Sequence, residues 1–116
     1  ETLGQAQEAV MGSAMRLLGW FQSGKLAMVP LNANRFLEMM SETVVAWLLL
    51  DQALISQKAL ATVAADHPDK AFYDGKVAAA KYFARNVLPG VQLKLSLIAG
   101  EDDSPMSLSD EAFAPD

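Results

Sequence analysis

The chain has 116 residues, no cysteine, 14 acidic against 9 basic side chains, and 52% hydrophobic against 20% charged residues. That is one globular domain by length and balance, and without cysteine it can hold no disulfide, thiolate nucleophile, iron–sulfur cluster or cysteine-ligated zinc, which fits a reducing, cytoplasmic compartment. A net charge of −5 with no cluster of Arg or Lys argues against a nucleic-acid surface.

The opening "ETLGQAQEAV" already reads as helix and carries no signal-peptide pattern, so the chain is expected to be a piece of a longer polypeptide. From residue 2 to 22, Leu3, Val10, Ala14, Leu17 and Phe21 recur at helical spacing and predict a first amphipathic helix. Gly4, Gly12 and Gly19 lower its intrinsic helicity by about 1 kcal/mol each relative to Ala. Either a partner compensates, or the small residues permit close approach. Gly24 and Pro30 then break the pattern, and Asn32 or Asn34 is placed to cap the next helix.

The second helix is expected from about Asn32 to Ala65. Its middle, Val44 to Leu50, is apolar on almost every side, but Asp51 ends the run well short of the ~20 residues a bilayer span requires. A central helix buried on several sides is the reading that follows. Asp66, Pro68 and Asp69 mark the next boundary. A third helix then presents Phe72, Ala79, Phe83 and Val87, with Tyr73, Val77, Ala80 and Ala84 beside them, and Lys76, Lys81 and Arg85 on its polar flank. Pro89 must kink or restart it, and Gly100 is a plausible stop.

The expected fold is therefore all-α: an antiparallel bundle of three long helices over residues 1–100. An acidic tail over residues 101–116, extended or disordered, should follow. No strand signal and no internal repeat is present.

Enzyme chemistry is scarce in this pattern. His67 is the only histidine, which removes paired-histidine metal sites, and its "ADHPD" setting reads as a solvated turn. No glycine-rich phosphate loop follows a strand. Trp20, Trp47 and the Phe72, Tyr73, Tyr82 and Phe83 group could form a cofactor box, but helical spacing makes them core first. Met39 and Met40 read as gap fillers. Asp51 is the unusual residue, an acid within an apolar run. It should be paired, with Arg16, Lys81 or Arg85 as candidates, or lie at a seam. No catalytic, cofactor-binding or metal-binding residue is assigned.

One stretch carries more than composition. "NANRFLEMMSETVVAWLLLDQALISQ", an acidic loop, and "AFYDGKVAAAKYFARNVLPGVQLKLSLIAGEDD" resemble the extra C-terminal domain of a bacterial acyl-CoA dehydrogenase subfamily that includes methylthiopropanoyl-CoA dehydrogenase-like enzymes. The run Phe72-Tyr73, Lys76, Ala78 to Ala80, Tyr82-Phe83 and Val87-Leu88-Pro89 carries the likeness, and the closing "SDEAF" is similar to the end of such chains.

The resemblance implies a parent enzyme that uses FAD to desaturate an acyl-CoA between Cα and Cβ, with flavin and acyl-CoA held by regions this chain lacks. This chain would then hold no cofactor and no catalytic residue. It would supply packing and subunit contacts within a homo-oligomer. The competing readings are a free-standing helical module that dimerises or binds a partner, and a small independent enzyme.

Overall fold

The computed structural model describes residues 1–114. Four helices, α1 (Thr2–Gln22), α2 (Met28–Leu60), α3 (Lys70–Asn86) and α4 (Gly90–Ala99), precede two short 3-10 turns at Ser104–Met106 and Asp110–Phe113. Among the described residues there is no strand.

A glycine ends α1. Gly24 takes the left-handed conformation at φ 81°, so the Lys25 N–H reaches back to the Trp20 carbonyl at 2.9 Å and the Gly24 N–H to the Phe21 carbonyl at 3.4 Å. These two reversed bonds satisfy carbonyls that the helix end would otherwise leave open. The chain then turns directly into α2, which starts at Met28 and stops at Leu60, not Asn32 and Ala65.

Pro30 caused the misreading. It occupies the first turn, where no intrahelical donor is needed, so its missing N–H costs nothing. Asn32 is accordingly not a cap. It is buried inside the helix, donating to the Met28 carbonyl at 2.9 Å and accepting from Arg35 at 3.0 Å.

The spine of the molecule is α2, roughly 50 Å long at 1.5 Å per residue. Helices α1 and α4 pack together at its first half, and α3 lies along its second half. The break between α3 and α4 makes this division possible. Leu88 precedes a proline and is biased away from helical backbone, and Pro89 serves as the N-cap residue of α4. Leu88, Val91 and Ile98 thereby enter one buried cluster with Ala6, Ala9, Trp20, Met28, Met39 and Ala46. Polar links reinforce the same end. Lys94 on α4 pairs with Glu42 at 2.7 Å and Glu38 at 3.5 Å on α2. Its hydrogen bond to Glu42, more than any other contact, raises the Lys94 pKa above the ordinary lysine value.

The expected stripe on α1 is rotated. Small residues face the core, Ala6, Ala9 and Ser13, with Trp20 closing the row, while Phe21 is exposed. The Ser13 hydroxyl donates to the Met39 sulfur at 3.8 Å. The glycines are not the close-approach residues, since a Cβ at Gly4, Gly12 or Gly19 would meet nothing within 4 Å. Gly12→Ala and Gly19→Ala are therefore expected to stabilise the chain by about 0.5–1 kcal/mol each, through helix propensity and a less free unfolded state. Urea melts followed by circular dichroism check this, and a loss of stability would show that the small residues are required for packing.

The α3 stripe is also rotated. Tyr73, Val77, Ala80, Phe83, Ala84 and Val87 are half-buried, Phe72 and Ala79 are exposed, and no α3 residue is fully buried. The far half of the molecule is thus a two-helix arm with little interior. The overall dimensions agree. The chain measures 69 × 36 × 15 Å with a radius of gyration of 20.4 Å, whereas a compact chain of this length has about 13 Å.

Candidate functional site

The residues singled out for chemistry do not converge. His67 is exposed in the loop after α2, its Nδ1 accepting the Asp69 backbone N–H at 3.2 Å. Among the described residues no three His, Cys, Asp or Glu side chains are grouped to hold a metal ion. Lys76 is not on an outer flank. It is half-buried against α2, donating to Gln52 at 3.0 Å and lying 5.3 Å from the Phe72 ring centre.

Asp51 corrects the sequence reading most sharply. It is exposed on α2, and Arg16, its first candidate partner, is engaged with Glu101. No ion pair or hydrogen bond from the side chains of Lys81 or Arg85 reaches it among the described residues. The aromatic box disperses as well: Trp20 is core, Trp47 is 57% exposed, and Phe72 and Tyr82 are on the surface. Met39 is buried at the centre, whereas Met40 faces out.

Glu101 is the residue the sequence reading missed. It follows Gly100 and takes the left-handed conformation itself, at φ 51°. Its carboxylate accepts from Arg16 at 2.9 Å and from the Trp20 indole at 3.2 Å, with Lys25 at 3.8 Å. One acid therefore joins the end of α4 to α1 and to the α1–α2 turn. Left-handed backbone is unfavourable for a side chain such as Glu, and the two hydrogen bonds, with the Lys25 charge beside them, offset the strain. The only hint in the sequence is an acid directly after a helix-stopping glycine.

The Trp20 hydrogen bond first, and Arg16 next, hold the Glu101 carboxyl below its ordinary range. Because the folded pKa is depressed, the contact is fully present above the unfolded value of 4.5 and is lost as pH falls through the folded value. A fluorescence titration should show Trp20 emission changing only below about pH 4.5, with Glu101→Gln weakening the transition. An unchanged transition in Glu101→Gln would contradict the assignment.

The surface recesses are open grooves between helices. One is lined by Leu3, Ala46, Leu50, Ala53, Val77 and Ala80, among others, and another by Val10, Met11, Ala14, Phe36, Met40 and Val44. Neither offers the cluster of cations or the turn of backbone N–H groups that a phosphate-bearing ligand requires.

What the molecule does offer is apolar surface. The buried stripe of α2 is Met28, Asn32, Met39, Thr43, Ala46, Ala53 and Ser56. On the opposite side, Leu37, Val44, Trp47, Leu48 and Ile55 are all exposed, as are Met11 and Met15 on α1. The chain exposes 7999 Å² in total. A compact monomer of 12.5 kDa exposes about 6,200 Å², so the excess is roughly 1,800 Å². By length and composition alone α2 could cross a membrane. Glu38, Glu42 and the Lys94 that pairs with them give it the character of a partly covered surface helix instead.

Comparison with known proteins finds relatives for this surface-rich helical unit. Residues 1–109 match the family described as acetyl-CoA dehydrogenase C-terminal like. The chain belongs to this family. It is 41% identical over 86 residues to a butyryl-CoA dehydrogenase of Syntrophomonas wolfei subsp. wolfei (strain DSM 2245B / Goettingen), covering 74% of this chain and 14% of that protein. It is 34% identical over 116 residues to the broad-specificity linear acyl-CoA dehydrogenase FadE5 of Mycobacterium tuberculosis (strain ATCC 25618 / H37Rv), covering 96% of this chain and 19% of that protein. The chain thus spans less than a fifth of the length of these relatives. The relatives are acyl-CoA dehydrogenases, and the family is that of their C-terminal region.

Proposed function

We propose that this chain is the non-catalytic C-terminal domain of an FAD-dependent acyl-CoA dehydrogenase, an enzyme that oxidises the Cα–Cβ bond of an acyl-CoA. Its contribution is packing and subunit contact. The observation that carries the reading is the family match over residues 1–109, in a molecule with open apolar faces and no grouped chemistry. The residues present do not fit a flavin: the grooves lack a phosphate cradle, and an acid, Glu1, stands before the first helix where a pyrophosphate would need positive charge. FAD and acyl-CoA therefore belong to the remainder of the enzyme.

The pairing of Ser13 with Met39, and of Gln52 with Lys76 and Glu42 with Lys94, supports an antiparallel helix set in which Pro89 restarts the third helix. Residues 1–100 are the packed unit and 101–116 an acidic appendage whose described residues are all exposed, tied down through Glu101. The cysteine-free composition supports a cytoplasmic enzyme. The sequence resemblance is to a subfamily that includes methylthiopropanoyl-CoA dehydrogenase-like enzymes, and the names of the relatives favour linear acyl groups for the whole protein. A free-standing interaction module is the second reading, favoured by the exposed α2 face.

The test uses the isolated chain and the whole protein side by side. After incubation with FAD and gel filtration, residues 1–116 should retain no flavin and oxidise no acyl-CoA, and the whole protein should do both. Stoichiometric flavin on residues 1–116 alone would overturn the assignment.

A further inference from the structure

Asp51 is the one charged residue between Leu37 and Ile55 on the side of α2 opposite its buried stripe. At helical spacing its neighbours are Trp47, Leu48, Leu54 and Ile55, all exposed, Ile55 by 60%. A carboxylate within an apolar band is tolerable in water. Under a purely apolar cover it is not, because burial without a partner is unfavourable. The band therefore specifies its cover: an apolar surface carrying one cation opposite Asp51.

Resting on the reading above, we infer that this face of α2 is buried in the whole protein against an upstream segment of the same polypeptide, which brings an arginine or lysine to the Asp51 carboxylate. Three observations select that occupant. The surface in excess of a compact chain, roughly 1,800 Å² over the whole molecule, leaves room for the ~800 Å² that a stable interface buries on each partner. More than four-fifths of each dehydrogenase relative lies outside the matched region, so upstream chain is tethered at high effective concentration.

Charge also opposes the alternative of a second copy. Parallel α2 helices would set Asp51 against its own mate, and antiparallel helices centred on the band, at Ala46, would set it against Ser41, which carries no cation. Among α2–α2 contacts, an antiparallel one centred near Leu54 brings Asp51 to Lys58 of a second copy, and that offset leaves Leu37, Met40 and Val44 uncovered. A lipid surface would have to take the carboxylate unpaired.

The experiment is thiol labelling of the full-length protein, read by peptide mass spectrometry at the introduced site. Leu48→Cys probes the band, and Asp66→Cys, in the exposed loop after α2, sets the free rate. Leu48→Cys should label roughly tenfold more slowly than the control or slower still. Adding Asp51→Lys should bring it close to the control rate with helix content unchanged.

Equal rates for Leu48→Cys and the control overturn the proposal. Protection lost on dilution to monomer assigns the face to a second copy and overturns it too. Protection that survives Asp51→Lys removes the cation. An acyl-CoA assay on the same samples separates the two levels of inference. Activity with a freely labelled Leu48→Cys defeats the docking alone, and protection without any bound flavin defeats the enzyme assignment.

Discussion

Ile98→Ala is expected to lower the stability of the chain by about 3 kcal/mol, within the 2–5 kcal/mol typical of a buried Ile cut to Ala. Ile98 has no exposed surface and packs in the single cluster where α1, α2 and α4 meet, with Met39 and Val91 equally enclosed. The arm of α2 and α3 has no comparable interior, because no α3 residue is buried and, beyond Ala46, only Ala53 and Ser56 are buried on α2. Ile55→Ala, on the exposed band, should accordingly change stability by less than about 0.5 kcal/mol. Urea unfolding by circular dichroism measures both. Equal losses at the two sites would mean that the arm is enclosed and that the stability of the chain is not concentrated at one end.

The second large effect is association. Residues 1–116 prepared alone are expected to self-associate at micromolar concentration, because the apolar surface that the upstream chain covers in the whole protein then meets only other copies. An apolar patch beyond a few hundred Å² is unusual on a stable monomer, and the band on α2 adjoins the groove between Met11 and Met40. Asp51→Leu should tighten this association by roughly tenfold, since it removes the one charge that two copies would have to bury. Sedimentation velocity over a concentration series decides it. A monomer across the series, or weaker association in Asp51→Leu, would contradict the account of the exposed face.

These expectations show which physical information the sequence carried. The limits of α1, Thr2 to Gln22, could be read directly, because apolar spacing and a left-handed glycine are local signals. The start of α2 could not, because Pro30 has opposite meanings in a helix interior and in a first turn, and only the backbone distinguishes them. The reading of Val44 to Leu50 as buried on several sides holds only in part: Ala46 is buried, but Val44, Val45, Trp47, Leu48 and Leu50 are exposed, since two neighbouring helices cannot cover a helix that is apolar all round.

The partner of Asp51 was sought within the chain because a lone acid in an apolar run suggests burial. In fact Asp51 and its neighbours Trp47, Leu48, Leu54 and Ile55 are exposed, and the question moves to what covers that face. Trp47 was expected in the core for the same reason. Glu101 was illegible. Its role depends on Arg16, Trp20 and Lys25 converging from more than seventy positions away, and no local pattern announces a contact of that range.

Family membership carries the functional conclusion, and the architecture explains why the chain can be non-catalytic and still specific. It has one well-packed end, one thin arm, and an apolar side with a single charge, Asp51, toward one end of it. An anaerobic titration of the full-length protein with a linear acyl-CoA tests the central claim most directly, followed through the flavin absorption band near ~450 nm. The account predicts a yellow protein whose band bleaches as acyl-CoA is added and returns with an external electron acceptor. A colourless full-length protein, or a flavin band indifferent to every acyl-CoA, would contradict it.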